Sequence, residues 1–126
     1  MKYTLSGPPI PLARPRLSKG RVYNPQEKEM NAAEWELKFQ APKEYLEGPI
    51  SLDVTFYMPM ATTMSKRKKD HLIDQPHASR PDIDNLLKFL LDAAKCLYKD
   101  DSQVSTVIAR KIYSDNPRTE FTIEAL

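Results

Sequence analysis

Cysteine and histidine are nearly missing from this chain: Cys96, His71 and His77 are all it has among 126 residues. A single thiol excludes an internal disulfide and suits a reducing compartment. The same scarcity argues against a structural zinc site, and neither histidine is assigned a role. Cys96 has no histidine near it in sequence to activate it as a nucleophile. Tryptophan is as sparse, and Trp35, Tyr45 and Cys96 are expected to pack rather than to form a stacking platform. No apolar run approaches the ~20 residues of a membrane span, and no signal-peptide pattern opens the chain. These absences predict a soluble cytoplasmic protein with no membrane partner. A surplus of one charge is lacking too. Nineteen Lys+Arg against seventeen Asp+Glu leave +2, so net charge alone points to no partner. The length suits one domain, 1–126, with its own core and no internal repeat.

What is present is unevenly spread. Arg14, Arg16, Lys19 and Arg21 lie between Pro11 and Tyr23 with no acid among them. Lys66, Arg67, Lys68 and Lys69 are consecutive positive charges, with Arg80 not far behind. Asp82, Asp84, Asp92, Asp100 and Asp101 then crowd one leucine-rich stretch, RPDIDNLLKFLLDAAKCLYKDDSQV, at 80–104.

The periodicities give a scaffold. KYTLS alternates as a short strand with Tyr3 and Leu5 on one face. The Pro-rich, basic GPPIPLARPRLSKGRVY cannot be regular structure for long. NPQE opens a helix, with Asn24 as N-cap, Pro25 at its first position and Glu27 completing a capping box. Met30, Ala33, Leu37 and Ala41 are its apolar stripe, and Pro42 ends it. ISLDVTFYM is a half-buried strand with Leu52, Val54, Phe56 and Met58 inward. Residues 60–80 have no period and read as a long, basic, mobile loop, a kind of segment that is usually functional or disordered. A second helix runs from Asn85 to Leu97 and buries Leu86, Leu87, Leu90, Leu91, Ala94 and Leu97. SQVSTVIARKIY and RTEFTIEAL are two strands that SDNP joins as a hairpin. The order β-α-β-loop-α-β-β predicts a small single α+β domain with two helices packed on a mixed four-stranded sheet.

On this scaffold Asp84 falls at the N-cap of the second helix. Asp82 lies two residues upstream in extended chain, on the same side. Lys88 follows Asp84 by four and sits about 5–6 Å away, one turn up the same face. Asp92 and Lys95 continue the ridge. Asp100 and Asp101 alternate before the next strand, so one of them can face the helix start. Two carboxylates at a helix start with a third from a neighbouring strand make a hard-cation site. Mg²⁺, with Mn²⁺ as substitute, takes oxygen ligands and keeps waters that a phosphate can replace. Each residue also has an ordinary reading: a cap, a turn, or for Lys88 an ion pair with Asp84 or Asp92 worth about 0.3–0.5 kcal/mol. The basic runs read as solvated loops when taken alone.

The stretch RPDIDNLLKFLLDAAKCLYKDDSQV resembles the signature of RusA-type Holliday junction resolvases, in the phage-like branch. GPPIPLARPR, RVYNP and RTEFTIE extend the resemblance over most of the chain. It implies a homodimeric, metal-dependent endodeoxyribonuclease that resolves four-way DNA junctions by paired symmetric nicks in recombination and repair, with Mg²⁺ and no small-molecule cofactor. Carried over by position, Asp82, Asp84 and Asp101 are the implied metal-binding and catalytic carboxylates and Lys88 the catalytic lysine. Asp100 is a secondary acidic neighbour. Arg14, Arg16, Lys19, Arg21, Lys66, Arg67, Lys68, Lys69 and Arg80 are the expected DNA contacts. Such a site hydrolyses a phosphodiester by metal-assisted chemistry, and Lys88 can neutralise developing negative charge. Two other classes stay open: a nuclease for flaps or other branched DNA, and a non-catalytic DNA- or RNA-binding module. The module needs no convergence of Asp82, Asp84 and Asp101, so the placement of these three bears on the choice.

Overall fold

A computed structural model of the chain describes residues 1–13, 16–18, 20–23, 25–42 and 44–126, with the side chains at 16–18 and 21–23 outside that description. The expected cap Asn24 and the basic residues Arg14 and Lys19 lie outside the described residues, as do the side chains of Arg16 and Arg21.

The centre of the molecule is strand β4 (Ile50–Met58), whose alternation is complete: Ile50, Leu52, Val54, Phe56 and Met58 are buried and the residues between them are not. One face of an extended strand is therefore apolar and must be covered. Four strands form the main sheet in the order β1 (Lys2–Ser6), β6 (Arg118–Ala125), β4, β5 (Val104–Tyr113). β6 is antiparallel to both β1 and β4, and β5 is parallel to β4. Tyr3, Leu5, Phe121 and Ile123 join the same buried face. The α+β class and the mixed four-stranded sheet are as the sequence predicts.

The last two strands do not form a hairpin. β4, whose alternation is complete, lies between them. The chain must then step over two strand spacings, about 10 Å, which residues 114–117 span easily. Ser114 starts that step by donating its N–H to the Met58 carbonyl at 2.9 Å, and its hydroxyl accepts the Asn116 N–H at 3.0 Å.

Helices α1 (Glu27–Gln40) and α3 (Ile83–Ala93) cover the apolar face. Ala33 and Leu37 are buried on α1, while Met30 and Ala41 pack partly against the core. The helix begins two residues later than NPQE suggests, with Gln26 at the N-cap and no side-chain cap. The Gln26 amide is used elsewhere, accepting the Ala13 N–H and donating to the Pro11 carbonyl, both at 2.6 Å. At the other end Ala41 is extended (φ −73°, ψ 144°), as the residue before Pro42 must be. Trp35 and Phe39 are 62% and 84% exposed and Tyr45 is 52% exposed, so the expectation that Trp35 and Tyr45 pack inside is overturned. They sit on the outer side of their segments, while Leu37 takes the inner one. Cys96 does pack partly against the core.

α3 buries Leu86, Phe89, Leu90 and Ala93, with Leu87 and Leu91 partly covered. It starts at Ile83, two residues earlier than expected, and yields to a short 3-10 turn at Ala94–Cys96. Three elements were not foreseen. The Pro-rich lead contains a small hairpin, β2 (Arg16–Ser18) with β3 (Arg21–Tyr23). The segment 60–80, expected to lack regular structure, contains the two-turn helix α2 (Lys66–Leu72), whose N-cap Ser65 accepts the Lys68 N–H at 3.2 Å.

Candidate active site at the start of α3

The N-cap of α3 is Asp82, not Asp84. Its backbone is extended (φ −69°, ψ 144°), but its carboxylate makes no capping bond and stays exposed. Asp84 stands inside the first turn, so the two do not share a side through strand alternation. Its carboxylate accepts the Asn85 N–H at 2.9 Å. Both negative charges face the positive end of the helix dipole, which favours them there. One turn on, Lys88 is exposed and enters no ion pair among the described residues. The ordinary reading of this lysine as half of a pair with Asp84 or Asp92 is therefore not realised. Asp92 pairs instead with Lys95 at 3.7 Å.

The lead-in to α3 is pinned to the open edge of β5. Asp74 N–H donates to the Tyr113 carbonyl (2.9 Å), Tyr113 N–H to Gln75 (3.0 Å) and His77 N–H to Lys111 (3.0 Å). Lys111 Nζ then donates to the carbonyls of Ser79 and Pro81, each at 2.8 Å. From the other side, Leu12 N–H reaches the Asn85 carbonyl at 2.9 Å. Between these supports lies a cleft lined in part by Leu12, Met58, Pro59, His77, Arg80 and Asp82. Burial lowers the His77 pKa below its ordinary value and the charge of Lys111 lowers it further. His77 Nδ1 is the buried side-chain atom left without a hydrogen-bond partner among the described residues.

Positive charge gathers at this same end. β4 and β5 are parallel, so Met58 and Tyr113 end side by side, and α2 hangs between them by way of Asp74. Lys66, Arg67 and Lys68 are exposed and Lys69 half-buried, and none is in an ion pair among the described residues. The open face of the sheet is different. Its cations are spoken for: Arg110 pairs with Asp53 and Arg118 with Glu120, each at 2.8 Å, and Lys2 with Glu120 at 3.4 Å. The α2 cations thus lie at the Met58–Tyr113 end of the sheet, in no ion pair among the described residues.

Asp101 is elsewhere. It opens a 3-10 turn, Asp101–Gln103, just before β5, and its charge faces the hydroxyl of Tyr98. That hydroxyl donates to the Leu91 carbonyl at 2.7 Å, which lies about 13 Å along α3 from Asp82 at 1.5 Å per residue. The β5 ruler agrees: from Val104 to Lys111 is roughly 23 Å of strand. Among the described residues no three His, Cys, Asp or Glu side chains are grouped to hold one ion. The expected meeting of Asp101 with Asp82 and Asp84 does not occur within the chain, because Asp101 belongs to the far end of α3. Asp100 has a structural part. It caps the 3-10 turn by accepting the Ser102 N–H at 2.9 Å, and the Ser102 hydrogen bonds hold its carboxyl below the usual range. Gln103 closes the capping box and donates to the Leu46 and Gly48 carbonyls at 2.9 and 3.0 Å.

The model of the family described as "Endodeoxyribonuclease RusA" matches residues 6–124. The chain belongs to the RusA endodeoxyribonuclease family. It is 34% identical to "Uncharacterized protein YqaN" of Bacillus subtilis (strain 168), over 98% of this chain and 94% of that protein. It is 40% identical to "Crossover junction endodeoxyribonuclease rusA" of Lactococcus phage r1t, over 65% of this chain and 60% of the phage protein. No helix among the described residues is long and apolar enough to cross a membrane.

Lys111, His77 and Gln103 escaped sequence reasoning. Lys111 is one polar residue in an alternating strand, and nothing local marks it as the partner of a segment some thirty residues upstream.

Proposed function

We propose that this RusA-family chain is a Mg²⁺-dependent endonuclease that resolves four-way DNA junctions by paired nicks, working as a homodimer in DNA recombination or repair. The observation that carries the reading is the start of α3. Asp82 and Asp84 are both exposed there, the Asp82 carboxylate caps nothing, and Lys88, one turn on, is in no ion pair among the described residues. Two hard carboxylates suit an ion that keeps most of its waters and takes one or two protein ligands beside a phosphate. When bound, Mg²⁺ supplies a more acidic water and charge relief at the leaving oxygen. Asp82 and Asp84 hold the ion in this reading. Lys88 offers its ammonium to the charge that develops on the phosphate. Arg80 and the cations of α2 hold the DNA backbone against the repulsion of the carboxylates. Asp101 lies outside this pair and faces Tyr98.

The separation of Asp101 from Asp82 favours one second reading, a binding module without catalysis. Incubation with a synthetic four-way junction, a flap and a linear duplex, each with Mg²⁺, Mn²⁺ or excess EDTA, separates the readings. The resolvase cuts the junction symmetrically with either metal and leaves it whole in EDTA. A chain that retards all three DNAs and cuts none is the module. Preferential cutting of the flap assigns the second kind of nuclease, and cutting in EDTA removes the metal.

A further inference from the structure

Among the described residues, Lys111 is the one side chain that grips the chain immediately before Asp82. Its neighbours in register explain why it can. Lys111 stands opposite Phe56 of β4, whose side chain is buried under the helices, so Lys111 projects from β5 toward the helix-covered side and the start of α3. Its ammonium donates to Ser79 O and Pro81 O, the carbonyls on either side of Arg80, while its own carbonyl accepts the His77 N–H. One residue of a rigid strand thus holds the strap at 77, 79 and 81.

Asp82 needs such a hold. Its side chain caps nothing, so among the described residues its carboxylate is placed by the backbone on its two sides. On the helical side Asp82 O accepts the Leu86 N–H at 3.2 Å. On the other side Pro81 O meets Lys111. Residues 78–82 carry no strand or helix of their own, so the lysine replaces a ladder there. A ligand carboxylate must be held to a fraction of an ångström to be useful, and a strap of this kind without its clamp does not meet that demand.

We infer that Lys111 is a positioning residue: by clamping the carbonyls of Ser79 and Pro81 it sets the place of Asp82 for cleavage. The inference rests on the resolvase reading above, and it goes beyond it by assigning a role to a strand residue that touches neither metal nor DNA.

The test uses the full chain and the variants Lys111→Met, which keeps the apolar stem but loses every donor, and Lys111→Arg, which keeps donors and charge. With a four-way junction and Mg²⁺, Lys111→Met is expected to cut at least tenfold more slowly at saturating junction and to need more Mg²⁺ for half its maximal rate. Junction Kd stays within twofold, and Lys111→Arg recovers most of the rate. Native-like cutting by Lys111→Met overturns the inference. So does a loss of junction binding equal to the loss of rate, which makes Lys111 a DNA contact. A defect that vanishes on cooling, with a lower melting temperature, also overturns it and leaves a stability role only. If the native chain cuts no DNA, the resolvase reading fails by itself. The clamp is then decided by amide ¹⁵N order parameters of Asp82 and Asp84, which fall in Lys111→Met if it holds this backbone and stay unchanged if it does not.

Discussion

The hydroxyl of Tyr98 donates to the carbonyl of Leu91 at 2.7 Å, closing the end of α3 where the chain tightens into a 3-10 turn and the usual helical donor is lost. Tyr98 is fully buried. Burial raises its pKa well above the ordinary 10.0, and the nearby charge of Asp101 raises it further.

Replacing Tyr98 by Phe should cost about 1–3 kcal/mol, the usual loss when a buried acceptor is left without its donor. Urea unfolding measures it. The pH dependence has a defined sign. A hydroxyl whose pKa is raised in the fold favours the native state until the unfolded chain begins to ionise, near pH 10, and stability then falls as pH rises further. Native protein should lose stability above that pH more steeply than Tyr98→Phe. Parallel curves would mean that another group governs alkaline unfolding.

Much of this fold could be read in the chain because its signals are local. The alternation of Ile50–Met58 and the leucine stripe of α3 both state which side is buried. The pairing of β5 and β6 could not be read that way. SDNP is a good turn, but whether its flanking strands pair depends on what fills the gap, and β4 fills it. α2 escaped for a related reason. Its exposed, charged residues bury nothing, so they carry no apolar period, and only the Ser65 cap marks its start. The acidic residues were legible as types and not as a constellation. Asp82 and Asp84 share a helix end because they are two residues apart. The position of Asp101 depends on how the chain packs after α3, and Tyr98 and Gln103 decide that.

Lys88 should matter for cleavage and not for folding. It is exposed and in no ion pair among the described residues, so Lys88→Met should shift stability by no more than about 0.5 kcal/mol, as most surface substitutions do. If its ammonium meets charge in the transition state, cleavage should fall by about 10²–10³, the usual effect of one such donor. Denaturation beside single-turnover cutting gives both numbers. Equal cutting by Lys88→Met leaves the lysine a solvated surface residue.

The cations of α2 make a prediction about salt. Replacing Lys66, Arg67, Lys68 and Lys69 together by Ala keeps the Ser65 cap and a strong helix former at each position, so α2 itself should persist. Binding to junction, flap and duplex alike should weaken, and each lost phosphate contact should lower the log–log salt slope by about 0.9. A slope equal to that of the native chain means these charges are only solvated.

Asp82→Asn tests the carboxylates and the proposed homodimer together. The substitution keeps the side-chain volume and removes a charge that makes no cap bond to the helix, so stability should change by no more than about 0.5 kcal/mol. Cleavage should be lost while junction binding holds or tightens, since one negative charge facing the phosphates has gone. A four-way junction has two like strands to cut, related by a two-fold axis, and a homodimer with one site per subunit matches that symmetry. Subunit exchange between native and Asp82→Asn protein should then give mixed dimers that nick one strand. On a supercoiled plasmid with an extruded cruciform, mixed dimers yield nicked circles and native dimers yield linear DNA. Gel analysis separates these products. If Asp82→Asn dimers still cut, Asp82 is no part of the site. If mixed dimers linearise the plasmid as fast as native ones, each nick does not need its own subunit's Asp82.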